Sequence, residues 1–240
     1  MTDSRVKILL LYFLGVKVMA FEKVVLPTYS KTEEILNSVS HGLGVPMGII
    51  FMIVGISRST NANSVVASIV FGVSTIIMYM SSMLYHSLRP GTAKKAMRLI
   101  DHSAIFIMIT GTATAVNIMA VYPHDKVFCI VTASISILLS ILGITLTFID
   151  QEKYKKAQMR LYMVVGYTSA SMIIPIAKYY KAESMLPFIL AMVGGLSYTV
   201  GTVFYKLGKK KPYFHSIFHL FVLAGTSLHF AMIYIALGTL

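Results

Sequence analysis

The stretch STNANSVVASIVFGVSTIIMYMSSMLYHSL, Ser59 to Leu88, runs for thirty residues without an Asp, Glu, Lys or Arg. A helix crosses the hydrocarbon core of a bilayer with about 20 apolar residues, and roughly 17 is the lower limit. This stretch is therefore long enough to span a membrane by itself. Working outward, six more uncharged stretches lie at 35–57, 102–124, 127–149, 161–177, 184–205 and 212–240. The shortest, 161–177, also carries Pro175. The whole chain is 56% hydrophobic and only 12% charged, which is membrane composition. The expected fold is an all-α membrane protein, a seven-transmembrane helix bundle over 31–240, preceded by a cytoplasmic or interfacial segment, 1–30.

A net charge of +12 would suggest a nucleic-acid partner in a soluble protein. Here its distribution speaks for topology instead. Five Lys or Arg precede the first apolar stretch: Arg5, Lys7, Lys17, Lys23 and Lys31. Four follow the second (Arg89, Lys94, Lys95, Arg98), four follow the fourth (Lys153, Lys155, Lys156, Arg160) and four follow the sixth (Lys206, Lys209, Lys210, Lys211). The other face holds Arg58, Lys126, Lys178 and Lys181, so the division is 17 against 4 of the 21. The positive-inside rule then places the N-terminus in the cytoplasm and the C-terminus outside. G-protein-coupled receptors run the other way. The expected location is the cell membrane, with membrane lipid as partner and no nucleic acid.

Several features carry packing rather than chemistry. Cys129, the single cysteine, forms no internal disulfide and reads as a small packing residue. Gly111, Gly194, Gly195 and Gly201 are small residues that let helices approach closely. In the N-terminal segment, Arg5 and Lys7 precede an apolar run, but Lys17 interrupts the pattern of a signal peptide. An interfacial helix, or initiation at Met19, accounts for it better.

Against this apolar background a few polar residues stand out by their depth. Ser82 and His86 are four apart near the end of the second stretch, and so share a helix face. Asp101 opens the third, and His215 and His219, again four apart, open the seventh. At 1.5 Å per residue all lie within one to two turns of the cytoplasmic surface. Ionisable groups inside a membrane are costly and mark functional paths. Three imidazoles with an acid nearby suit Zn²⁺, whose catalytic sites keep three protein ligands and an open position. The expected ligands are His86, His215 and His219. Asp101 would take a proton from a water or orient it, and Ser82 would serve as a neighbouring hydroxyl or oxyanion donor. Glu34, Asn37 and His41 share one face of the first helix, either as a polar network orienting it or as a lining of the cytoplasmic mouth. His229, about 21 Å deeper than His215, is out of reach of that metal and should make an interhelical hydrogen bond. His102 and His124 carry no site expectation.

These residues fall in runs that resemble a known family. Glu33-Glu34-Ile35-Leu36-Asn37-Ser38-Val39-Ser40-His41-Gly42 resembles the opening signature of bacterial hemolysin III proteins. Ser82-Met83-Leu84-Tyr85-His86, Asp101-His102-Ser103-Ala104-Ile105-Phe106 and His215-Ser216-Ile217-Phe218-His219 continue it. The resemblance covers about 30–240 and places the chain near the progestin and adipoQ receptor family, which includes the adiponectin receptors. It implies seven helices, a cytoplasmic N-terminus and a zinc held by three histidines. It also implies kinship with alkaline ceramidases, and hence hydrolysis of lipid amides or esters with a role in membrane homeostasis. The alternatives are a channel-forming cytolysin, as the family name suggests, and a receptor or sensor without turnover.

Overall fold

A computed structural model describes residues 23–171, 174–175, 178 and 185–239. The expectations for 1–22, for Met19 as initiator and for Lys181 lie outside the described residues. Among those described, the chain forms helices α1 (Lys31–Arg58), α2 (Ala62–Ser87), α3 (Thr92–Val116), α4 (Lys126–Ala170), α5 (Met185–Leu207) and α6 (Phe214–Thr239). A short π-helical turn, Asn117–Val121, prolongs α3. Among the described residues, six helices are long and apolar enough to cross a membrane.

The faces of α1 show which solvent the bundle is built for. Its buried residues are Glu33, Asn37, His41, Gly44, Gly48 and Gly55. Val39, Leu43, Ile50 and Ile53 are exposed. Polar and small residues turn inward and branched aliphatics outward, the reverse of a helix on a water-soluble core. Lipid tails solvate the aliphatic face at no cost, while the interior must satisfy the polar groups.

Each helix start has its own chemistry. Ser30 and Glu33 form a reciprocal capping box at the start of α1, and Asn61 and Ser64 do the same for α2, satisfying backbone N–H groups that lack a helical partner. Glu33 also accepts the backbone N–H of Tyr213 at 2.9 Å. Tyr213 holds a left-handed backbone, φ 65°, a conformation uncommon for a bulky residue. The α1 carboxylate thus pins the strained turn that launches α6. Helix α1 packs on α2, α2 on α3, α3 on α4, α5 on α6, and α6 returns to α1. Among the described residues α4 and α5 barely touch.

Close approach depends on small residues where it was expected, with one exception. A side chain at Gly111 would strike Ser74, one at Gly194 would strike His229, and one at Gly201 would crowd Phe221. Gly195 faces open space, so its expected packing role is not observed. Cys129 is buried in an apolar cluster with Phe71, Met119 and Ile233.

Two expected loops are helical. Helix α3 starts at Thr92, so Asp101 lies in its third turn rather than opening it, and Lys94 and Arg98 sit on the helix. The expected connection 150–160 is also helix, interrupted only at Asp150 (φ −167°, ψ 94°). Asp150 caps the new turn by accepting the Lys153 N–H at 3.0 Å and binds Lys23 at 3.1 Å. Charge marks the limit of the apolar span, but a capped and salt-bridged helix continues past that limit. The expected span 161–177 falls partly outside the described residues.

Candidate metal centre

Because consecutive helices are antiparallel, the start of α1, the end of α2, the start of α3 and the start of α6 meet at one end of the bundle. There His86, His215 and His219 each offer a ring nitrogen, and these atoms lie within 4.8 Å of one another. All three side chains are buried.

The other ring nitrogens are already committed. His86 Nδ1 lies 2.7 Å from Glu34 Oε2. A carboxylate only accepts, so Nδ1 is the donor and Nε2, which has no partner, is left for coordination. His219 Nδ1 lies 3.1 Å from the Asn37 carbonyl and 3.0 Å from Ser40 Oγ. It too must donate to the carbonyl, which leaves Nε2 with its lone pair. That atom stands 3.2 Å from His215 Nε2, a contact satisfied by a proton on His215 or by a cation that takes both lone pairs. Partners that orient ligand imidazoles in this way are the usual support of a histidine metal site. The donor set therefore fits a metal such as zinc.

The expected accessory residues divide. Glu34 and Asn37 bear directly on the histidines, and Asn37 Oδ1 also accepts from Ser216 Oγ at 2.6 Å. His41 does not join the cluster of converging nitrogens. Its ring stacks on His219 with centroids 3.4 Å apart and meets Tyr79 edge-on at 5.1 Å. It is buried, and neither of its ring nitrogens has a partner. Asp101 is half-buried, with Ser82 as its hydrogen-bonding neighbour and His86 and Arg98 close by. His229 makes the expected interhelical bond, to the Ala191 carbonyl at 3.2 Å.

Three contributors have no sequence signal that marks them. Lys94, by position only a topogenic charge, is 2% exposed. It donates to Glu34 Oε1 at 2.7 Å and to the Leu88 carbonyl at 3.0 Å. Glu34 is thus shared between a buried cation and His86. Ser40 supports His219 through its hydroxyl. Tyr29, from the segment ahead of α1, stacks on His215 at 5.2 Å. Burial, with the neighbouring Tyr85, pushes its phenol well above the usual tyrosine range. The same segment packs Val24 against Leu99, so 23–30 forms a strap over the site.

Fold and site together define a multi-pass helical membrane protein with a buried histidine cluster at one end of its bundle. The family model for haemolysin-III related proteins matches residues 29–230, and the chain belongs to that family. It is similar to the hemolysin-3 homolog of Bacillus subtilis (strain 168), 34% identical over 82% of this chain and 91% of the relative. To hemolysin-3 of Bacillus cereus it is 32% identical over 87% and 94%. A partial similarity, 28% over 38% of this chain and 36% of the relative, reaches the human monocyte to macrophage differentiation factor. That last similarity supports a place in the wider progestin and adipoQ receptor family. No solved structure matches the chain.

Proposed function

We propose that this chain is a zinc-dependent hydrolase of lipid amides or esters that serves membrane homeostasis. In this proposal it has seven helices, with the N-terminus in the cytoplasm and the C-terminus outside, and α4 counts as two spans meeting at Asp150. His86, His215 and His219 hold the zinc. The observation that carries the proposal is the convergence of three buried ring nitrogens within 4.8 Å. Two of those rings are held from behind by Glu34 and by Asn37 with Ser40.

Zinc in such a site lowers the pKa of a water towards ~7 and polarises a carbonyl. The chain supplies the rest. Asp101 accepts the proton of the attacking water and returns it to the leaving group. Ser82 orients the Asp101 carboxylate or donates to the developing oxyanion. Glu34 keeps His86 in the tautomer whose Nε2 is free.

The test is metal analysis of the purified full chain, followed by a screen of ceramide-type amides and lipid esters. The expected outcome is about one zinc per chain, as a three-histidine site requires, together with hydrolysis. Undiminished zinc in the double variant His215→Ala/His219→Ala would eliminate the ligand assignment. Zinc without turnover on any lipid would favour a sensor. The hemolysin name of the Bacillus cereus relative motivates the pore alternative, and red-cell lysis by the purified chain, independent of zinc, would favour that.

A further inference from the structure

Where α4 and α5 barely touch, a cleft of about 520 Å³ opens between the 23–30 strap, α3, the part of α4 after Asp150 and the end of α5. Six cations line it: Arg98, Lys155, Lys156, Arg160, Lys206 and Lys209. The one carboxylate among the described residues of its wall, Glu152, is already held by Lys155 at 2.9 Å and lies 3.9 Å from Arg98. The excess of positive charge costs free energy. Partial burial and the nearby charges of Lys155 and Arg98 lower the pKa of Lys209 below the ordinary lysine value. The positive-inside rule asks for basic residues at this end of the helices. It does not ask them to gather around a cavity.

A second observation points the same way. Gln151 and Gln158, both in the wall, are 4% and 2% exposed, and the Nε2 of each has no partner. The orientation of Gln151 is settled by its Oε1, which accepts from Arg98 Nε at 3.1 Å, so its amide N–H groups are the unsatisfied side. Buried donors are rarely left unpaired without cause. Two unpaired amide donors stand among six cations in this wall against a single carboxylate, and the complement of such an excess of donors is an oxygen-rich anion. Basic pockets between helices on the cytoplasmic side of membrane proteins bind phosphorylated head groups in this manner.

We propose that this cleft binds a phosphate ester of net negative charge, with Arg98, Lys156, Lys206 and Lys209 supplying the charge and Gln151 and Gln158 the neutral donors. The proposal is independent of zinc and of turnover at the histidine cluster.

The experiment uses the full chain in nanodiscs of phosphatidylcholine containing phosphatidylglycerol. Lipid retained after detergent extraction is identified by native mass spectrometry, and binding of glycerol 3-phosphate and inorganic phosphate is measured in parallel. Each basic residue at a membrane surface contributes roughly fivefold in affinity for anionic lipid. The variant Lys156→Gln/Lys206→Gln/Lys209→Gln should therefore lose about a hundredfold. The control Lys31→Gln/Lys210→Gln/Lys211→Gln removes equal charge outside the cleft and should lose far less than the cleft variant. Gln158→Leu leaves the charge intact and should weaken retention without lowering thermal stability or zinc content. Retention of phosphatidylglycerol alone identifies a lipid head group as the ligand, and binding of glycerol phosphate or phosphate as well identifies a soluble ester. Equal retention of both lipids with no phosphate binding overturns the proposal. So does a control variant that loses as much as the cleft variant, or a Gln158→Leu variant that retains as much as the parent.

Discussion

Glu34 holds two partners at 2.7 Å, the His86 imidazole and the Lys94 ammonium, and Glu34→Gln separates their roles. At an effective dielectric of 20, opposite charges 2.7 Å apart attract by about 6 kcal/mol before desolvation is counted. Removing one partner of a buried pair costs about 3–5 kcal/mol, because the other charge is left uncompensated. The Glu34 side chain keeps 20% exposure while Lys94 keeps 2%. The lower end, about 3 kcal/mol, is therefore expected. The amide oxygen of the substituted side chain can still accept from His86 Nδ1, but without a full charge behind the ligand. Zinc affinity should fall about 10- to 100-fold, as it does when a supporting partner is changed. Lys94→Met removes the buried cation instead, so Glu34→Gln/Lys94→Met should recover most of the stability while zinc affinity stays low. The assays are thermal unfolding in detergent and competition with a zinc chelator on all four proteins, read as a double-mutant cycle. If Glu34→Gln matches the parent in both, the shared-carboxylate account is refuted. Stability and zinc affinity recovering together in the double variant would refute the separation of roles.

The remaining expectations concern chemistry, packing and topology. Asp101→Asn should retain zinc and fold but abolish lipid hydrolysis, since the amide fills the same volume without accepting a proton. Full turnover would sink the assigned role. Ser82→Ala should be milder, within the roughly 10²–10³ typical of losing an oxyanion donor, measured on the same preparations. Gly44→Ala drives a methyl into the ring of Tyr79, which is fully buried and bonded to Thr226 at 2.7 Å. Overpacking of this kind costs about 1–3 kcal/mol, and an unchanged unfolding temperature would contradict the close approach of α1 and α2. A reporter fused after Leu240 should be active only outside the cell, and activity only inside would overturn the orientation drawn from the 17-to-4 charge division.

Much of the architecture was legible because a bilayer imposes a one-dimensional test. A span must be long, apolar and uncharged, and 35–57, 59–88, 184–205 and 212–240 meet that test close to the observed limits of α1, α2, α5 and α6. The three histidines were legible for a related reason: at equal distance from a charged boundary, side chains on antiparallel helices reach equal depth. Sequence could not say where a helix ends once it leaves the apolar stretch. Thr92 to Arg98 stay helical with Lys94 paired to Glu34 of α1, and the residues after Asp150 follow the local cap that Asp150 provides. Nor could it tell a topogenic lysine from a structural one. Only the rotation of α3 against α1 turns Lys94 onto Glu34. The same holds for His41, four residues past Asn37, which stacks on His219 instead of joining the converging nitrogens. Depth follows from position along the chain, whereas partnership depends on helix rotation and packing, which only the tertiary structure decides.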